Sequence, residues 1–321
     1  MKVTAKSALS GAATANVRLT APVGWQVEPA TQRLTFNQVG EVKDCEFRLT
    51  PASNREGRFP IKASLEYQGK TYAEGYTVVT RDDLSTFYYY QPAVQKVSVV
   101  DVKAPANLKV GYIMGAGDDI PEVLRQVGLD VTLISADKLA SEDLTHYGTI
   151  VLGIRAYDTQ KGVIENNKKL LNFVSAGGTL VVQYETDIGN FNAGSFAPYP
   201  LTLARGRVSV EEAPVEILAP QSRVFHYPNE ISPKDFDGWV QERGLYFMDK
   251  WDDKYTALLA SHDPGEGSLK GGLLVAPYGK GTYVYTGYAF FRQLPAGVPG
   301  AVRLYVNLLS AGHDAGAGVS C

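Results

Sequence analysis

Two cysteines in 321 residues exclude a disulfide framework. Cys45 stands in a strand-like run, CEFRLT, and Cys321 ends a Gly/Ala-rich tail, so one core thiol and one tail thiol are expected. Histidine is equally scarce. The four, at 146, 226, 262 and 313, form neither an i, i+4 pair nor a Cys/His cluster, and no metal site is expected. His226 and His262 are the two that fall in loop-like surroundings. The net charge of −3 and the absence of like-charge runs argue against a nucleic-acid partner and against a polybasic membrane anchor. No stretch approaches the roughly 18 uninterrupted apolar residues of a membrane span. The opening VTAKSALSG lacks the apolar run of a signal peptide. Gly115-Ala116-Gly117 lacks the third glycine of a dinucleotide fingerprint, and no cofactor is expected.

What is present is an ordinary globular composition, 45% hydrophobic and 20% charged, at a length that accommodates two domains with separate cores. The first hundred residues alternate apolar and polar positions in NVRLTAP, RLTFN, DCEFRLTP, RFPIKASLEYQG and KTYAEGYTVVT. Turn formers separate them at Pro22–Gly24, at 54–57 and at Gln68–Lys70, and Leu65–Tyr72 reads as one hairpin. Short strands at about ten-residue spacing predict an antiparallel sandwich. Trp25 is expected to pack in its core or at its rim. An extended segment over about 87–102 then leads to a boundary near Ala104–Asn107, and its Phe87–Tyr90 cluster suits packing between domains or a sugar-stacking platform.

From Leu108 the pattern changes to strands and helices in turn. LKVGYIMG, LDVTLIS, TIVLGIRAY and TLVVQYETD read as strands, while IPEVLRQVG, ADKLASEDLTHYG and KGVIENNKKLLNFVSAGG read as helices. That order predicts a parallel sheet covered on both faces. Beyond Asp187 the expectation is a long loop, short strands near Arg207–Val210 and Val215–Ile217, a hairpin turning at Pro277–Gly281, a helix in VPGAVRLYVNLLSAG and a flexible tail.

LKVGYIMGAGDDIPEVLRQVGLDVTLIS, YGTIVLGIRAYDT and LLNFVSAGGTLVVQYET resemble the class I glutamine-amidotransferase-like domains, which include the ThuA-like and β-galactosidase trimerisation types. DFDGWVQERGLYF and GKGTYVYTGYAFFRQLPAGVPGAVRLYVNLLS are similar to the C-terminal region of large bacterial PIG-L (LmbE-like) deacetylases. Together the strings cover about residues 15–311. The resemblance implies an Ig-like sandwich at 1–104, a flavodoxin-like, amidotransferase-like α/β domain with an added β-hairpin at 105–312, and a tail at 313–321. It further implies a secreted or periplasmic location and a zinc-dependent catalytic deacetylase domain elsewhere in the parent chain. Two departures stand out. An amidotransferase needs a nucleophilic cysteine on a strand-to-helix elbow, and neither cysteine is near the fourth strand's end, Val182–Asp187. The His-Pro-Asp-Asp zinc motif of the deacetylases is also missing from the sequence. The expectation is therefore a non-catalytic accessory region serving domain positioning, oligomerisation or contact with a glycan or amino-sugar. The alternative is a carbohydrate-active hydrolase working through carboxylates at the strand ends.

Open α/β sheets hold ligands at the carboxyl ends of their strands, near the point where strand order reverses. The residues delivered there are Asp118 and Asp119 after the first strand, Arg155, Tyr157 and Asp158 after the third, and Tyr184 and Glu185 after the fourth. Carboxylates, an arginine and two tyrosines suit a polyhydroxylated ligand. Equally, Asp118 or Asp119 caps a helix, or Arg155 pairs with Glu185 or Asp118. A second candidate surface gathers Trp239, Arg243, Tyr246 and Trp251.

Overall fold

The computed structural model describes residues 1–53 and 55–313. Position 54, within one expected turn, and Cys321 with the tail beyond His313 lie outside the described residues. The chain divides into two compact units, Met1–Asp101 and the remainder from Val102.

The first unit is antiparallel and β-rich. Ala13–Thr20, Gln32–Phe36, Gly57–Tyr67, Lys70–Tyr72 and Val94–Val99 make a five-stranded sheet, and Lys2–Lys6/Val42–Glu46 and Gln26–Glu28/Arg48–Thr50 form separate pairs. Period-two alternation works as expected: Ala13, Ala15, Val17 and Leu19 are buried and the residues between them face outward. Cys45 joins Val17, Leu34, Phe36, Phe47 and Ile61 in the core, and Trp25 packs on Phe59 at 5.3 Å. The hairpin at Leu65–Tyr72 has its expected register, with Gln68 and Gly69 both at positive φ as a tight two-residue turn requires. Glu74–Arg81 and Leu84–Pro92 form a two-stranded ribbon paired with no other strand among the described residues. Phe87, Tyr88, Tyr89 and Tyr90 are each at least half exposed on it.

The second unit is an α/β domain around a seven-stranded mixed sheet. In chain order its parallel strands are Lys109–Ile113, Asp130–Leu133, Thr149–Leu152, Thr179–Gln183 and Gly281–Thr286, arranged in space as 2-1-3-4-5. This is the doubly wound order of flavodoxin-like sheets. Leu273–Tyr278 and Thr256–Ala257 extend it antiparallel. The expected hairpin is thus built into the sheet, and its second arm is the fifth parallel strand. Thr149–Leu152 and Thr179–Gln183 are buried along their whole length, as strands covered on both faces must be.

Three local expectations are corrected. ADKLASEDLTHYG folds as two 3-10 turns, Ala136–Lys138 and Leu144–His146, not as a helix. The Lys169 ammonium takes the carbonyls of Leu139, Ala140 and Glu142, and the Asp143 carboxylate accepts from Thr145, so local polar partners replace the helical ladder. The long helix breaks at Asn166, whose side-chain amide donates to Gly162 O at 2.8 Å, leaving Lys161–Glu165 and Asn167–Ser175. The expected loop after Asp187 contains a short helix, Ile188–Gly194, capped by the Asp187 side chain at Asn190 N. Strands Leu201–Val208 and Val215–Ile217 lie near their expected places, and Pro299–Leu309 is the C-terminal helix.

Candidate functional site

The loops after the first and third strands interlock at the carboxyl edge of the sheet. Ala116 N donates to Ile154 O at 2.8 Å, and a Cβ at Gly115 would lie 2.0 Å from that carbonyl. Nothing flexible is available to yield, so Gly115→Ala is expected to destabilise the domain by about 3 kcal/mol or more. Thermal melting checks this, and Gly117→Ala is no substitute control because Gly117 sits at φ +105°.

Asp118 accepts from the Tyr112 hydroxyl at 2.8 Å and from Ile120 N at 3.0 Å, so it caps the helix Ile120–Gln126 from one residue before the formal cap position. Burial raises its pKa, with the hydrogen bonds from Tyr112 and Ile120 working against that. Asp119 is exposed and makes no capping bond.

The sharp strand-to-helix turn follows the third strand, not the fourth. Arg155 occupies it in the left-handed conformation, φ 59°, ψ 33°, immediately before the helix Ala156–Thr159. Its amide donates to Tyr184 O at 2.9 Å, tying it to the fourth strand's end. Its side chain pairs with Asp158, Nε to Oδ2 at 3.2 Å, rather than with Glu185 or Asp118. Tyr157 does not reach the rim. It is wholly buried, stacked on Phe196 at 4.3 Å, and its hydroxyl donates to Asn167 at 2.6 Å.

Asp158 latches the third loop to the fourth. Its carboxylate accepts from Thr186 N at 2.8 Å, Thr186 Oγ1 at 2.7 Å and Asp187 N at 3.1 Å, besides Arg155. Burial works to raise its pKa, but the donors from Thr186, Asp187 and Arg155 outweigh burial and hold it below the usual range. Glu185 is the opposite case. It has no exposed surface, Oε2 accepts from Asp158 N at 3.2 Å, and Oε1 has no partner among the described residues. Burial first, and the Asp158 charge second, push its pKa well above the ordinary carboxyl range. Their surroundings push the proton affinities of the two neighbouring carboxyls apart, the division from which acid–base pairs are made. Here both groups are covered and engaged internally.

The second candidate surface does not assemble. Trp239 is buried with its Nε1 donating to Asp235 O at 3.0 Å. Arg243 is buried too, bonding the carbonyls of Ala213 and Phe236, and burial lowers its pKa. Trp251 packs half-buried against the main core. Tyr246 is part-buried against the same core. At φ +54° it lays its ring parallel to that of Tyr184, centroids 6.0 Å apart, and so joins the first site. Phe291 completes this aromatic cluster at 5.3 Å from Tyr184, with the Arg292 guanidinium 4.7 Å over the Phe291 ring and bonded to Glu242 at 2.7 Å. Phe291, Arg292 and Glu242 were missed from sequence because no spacing links them to the first four strands.

His226 is held by Glu230 at 2.8 Å and Pro220 O at 2.7 Å. Those two acceptors raise its pKa. His262 bonds the Asp263 carbonyl. Among the described residues no group of three or more His, Cys, Asp or Glu is arranged to hold a metal ion.

No family model matches the sequence. No curated protein matches it either. Solved structures similar to the chain are distant. A cytoplasmic protein from Salmonella typhimurium LT2 is 14% identical, with 75% of this chain and 96% of that one covered and a TM-score of 0.44. A ThuA-like protein from Bacteroides uniformis is 13% identical, with 64% and 91% covered and a TM-score of 0.43. A β-galactosidase from Rahnella sp. R3 is 16% identical with a TM-score of 0.38, and the match spans 32% of its chain and 64% of this one. At such scores the likeness carries nothing about function, and the α/β assignment rests on the strand order itself. No helix among the described residues is long and apolar enough to cross a membrane.

Proposed function

We propose that this chain is a non-catalytic accessory region, of the kind the PIG-L resemblance implies, whose α/β unit contacts a glycan or amino-sugar at its rim. On this proposal the α/β unit is a degenerate amidotransferase-like domain, and the N-terminal unit is an Ig-like spacer. The observation that carries it is the elbow: where catalysis of that type needs a nucleophile, the left-handed position holds Arg155, with its Nε fixed on Asp158. Such a site holds and orients a ligand rather than attacking it. Calorimetric titration with N-acetylglucosamine oligomers is expected to give saturable heats, with no turnover of acetylated or chromogenic sugars.

The hydrolase reading retains one specific support, the split proton affinities of Asp158 and Glu185. Turnover that disappears in Glu185→Gln would replace the accessory role with that one.

A further inference from the structure

We propose that the rim carries an oxyanion site, in which Arg155 and Arg292 grip a carboxylate or phosphate group beside the aromatic cluster of Tyr184, Tyr246 and Phe291. The inference deepens the rim-contact reading above and rests on it, and it names an anionic sugar as the class of ligand.

Three features converge. First, both guanidiniums are anchored and half-exposed in the same manner. Arg155 is tied through Nε to Asp158 at 3.2 Å with its side chain 41% exposed, and Arg292 through Nε to Glu242 at 2.7 Å with 37% exposed. Neither has a hydrogen-bond partner for its two terminal nitrogens among the described residues. A fork held at Nε has lost its freedom already, so an incoming oxyanion meets donors in place. Second, both arginines border one tyrosine. Arg155 donates its amide to Tyr184 O at 2.9 Å, while Arg292 lies over Phe291, whose ring is 5.3 Å from that of Tyr184. Both positive charges accordingly lower the pKa of the Tyr184 phenol against a larger upward push from burial. Third, the backbone is held in an unfavoured conformation at two non-glycine residues that each adjoin Tyr184, Arg155 at φ 59° and Tyr246 at φ 54°. Non-glycine residues held at positive φ gather at ligand clamps and active sites.

Three carboxylates of the rim are otherwise engaged. Asp118 is bonded to Tyr112, Asp187 caps Asn190, and Glu185 is fully buried with Oε2 on Asp158 N, so none of these three takes up the free guanidinium nitrogens. Tyr246 and Phe291, both part-buried, border the two arginines with aromatic surface of the kind that suits a sugar ring.

The test is calorimetric titration of the full chain, at low and high salt, with three probes. These are a tetrasaccharide alternating glucuronate and N-acetylglucosamine, a neutral N-acetylglucosamine tetramer, and inorganic phosphate. The proteins are wild type, Arg155→Asn (asparagine tolerates the left-handed position) and Arg292→Gln, each checked for an unchanged melting curve. The anionic tetrasaccharide is expected to bind about tenfold more tightly than the neutral one, and each arginine variant to lose about tenfold of that affinity. Phosphate binding that both arginine substitutions weaken, in place of the uronate preference, assigns the same site to phosphate esters. Equal affinity for the charged and neutral tetrasaccharides, or variants that bind as wild type does, overturns the oxyanion site while leaving rim contact standing. Silence from all three probes overturns both.

Discussion

Glu185→Gln is expected to stabilise the protein increasingly as pH rises above 4.5. The folded-state pKa of Glu185 lies well above its ordinary value of 4.5 because the carboxyl is buried beside the charged Asp158. Between those two values the folded chain binds one more proton than the unfolded chain, so stability falls as pH increases, by about 1.4 kcal/mol per pH unit at most. Glutamine keeps the size of the side chain, still accepts from Asp158 N and has nothing to ionise. The difference in urea midpoint between variant and wild type should therefore widen steadily across that window. Parallel curves for the two proteins would show that Glu185 ionises as freely when folded as when unfolded, and the buried, proton-bearing role assigned to it would be wrong.

Asp158→Ala is the complementary experiment, with the opposite sign. The folded pKa of Asp158 is depressed, so its contribution is present above the unfolded value of 3.8 and is lost as pH falls through the folded one. The two windows do not overlap, which lets acid and neutral titrations separate the pair. Removing the carboxylate strands Thr186 N, Thr186 Oγ1 and Asp187 N, and frees the Arg155 side chain. The two Thr186 donors are part-buried and cost about 1 kcal/mol or more each when unpaired, while water can take Asp187 N, so a loss of about 2 kcal/mol is expected at pH 7. Asp158→Asn, which keeps an acceptor, should lose less. An alanine variant melting with the wild type would mean that the two loops are held by something other than this latch.

The position of the site was legible before its content. Four apolar runs in alternation with helical segments locate the carboxyl edge of a parallel sheet, and Arg155, Tyr184 and Asp118 do lie along it. What alternation does not encode is where each side chain turns once a strand ends. Tyr157, two residues past a left-handed turn, swings into the core against Phe196. Arg243 and Trp239 carry polar atoms and so look like surface groups, yet backbone carbonyls of Ala213, Phe236 and Asp235 satisfy them internally. The elbow was expected one strand too late because positive φ in a non-glycine residue leaves no mark in composition. Arg292 stands 137 positions beyond Arg155 by residue number, and it follows the fifth parallel strand, hidden in an apparent hairpin, which runs to the same carboxyl edge of the sheet.

The ribbon of Glu74–Arg81 and Leu84–Pro92 has a practical bearing on handling. Its second strand, LSTFYYYQP, has no charged residue along nine positions, and its outer edge is paired with no other strand among the described residues. Lysines and inward-pointing charges are the usual defence against one such edge recruiting another, and this strand has neither. Its tyrosines alternate between the two ribbon faces, with Tyr76, Tyr88 and Tyr90 grouped on one, so neither side is polar enough to repel a neighbour. In concentrated solution this projecting strand is where clumping would begin, long before either folded body opens.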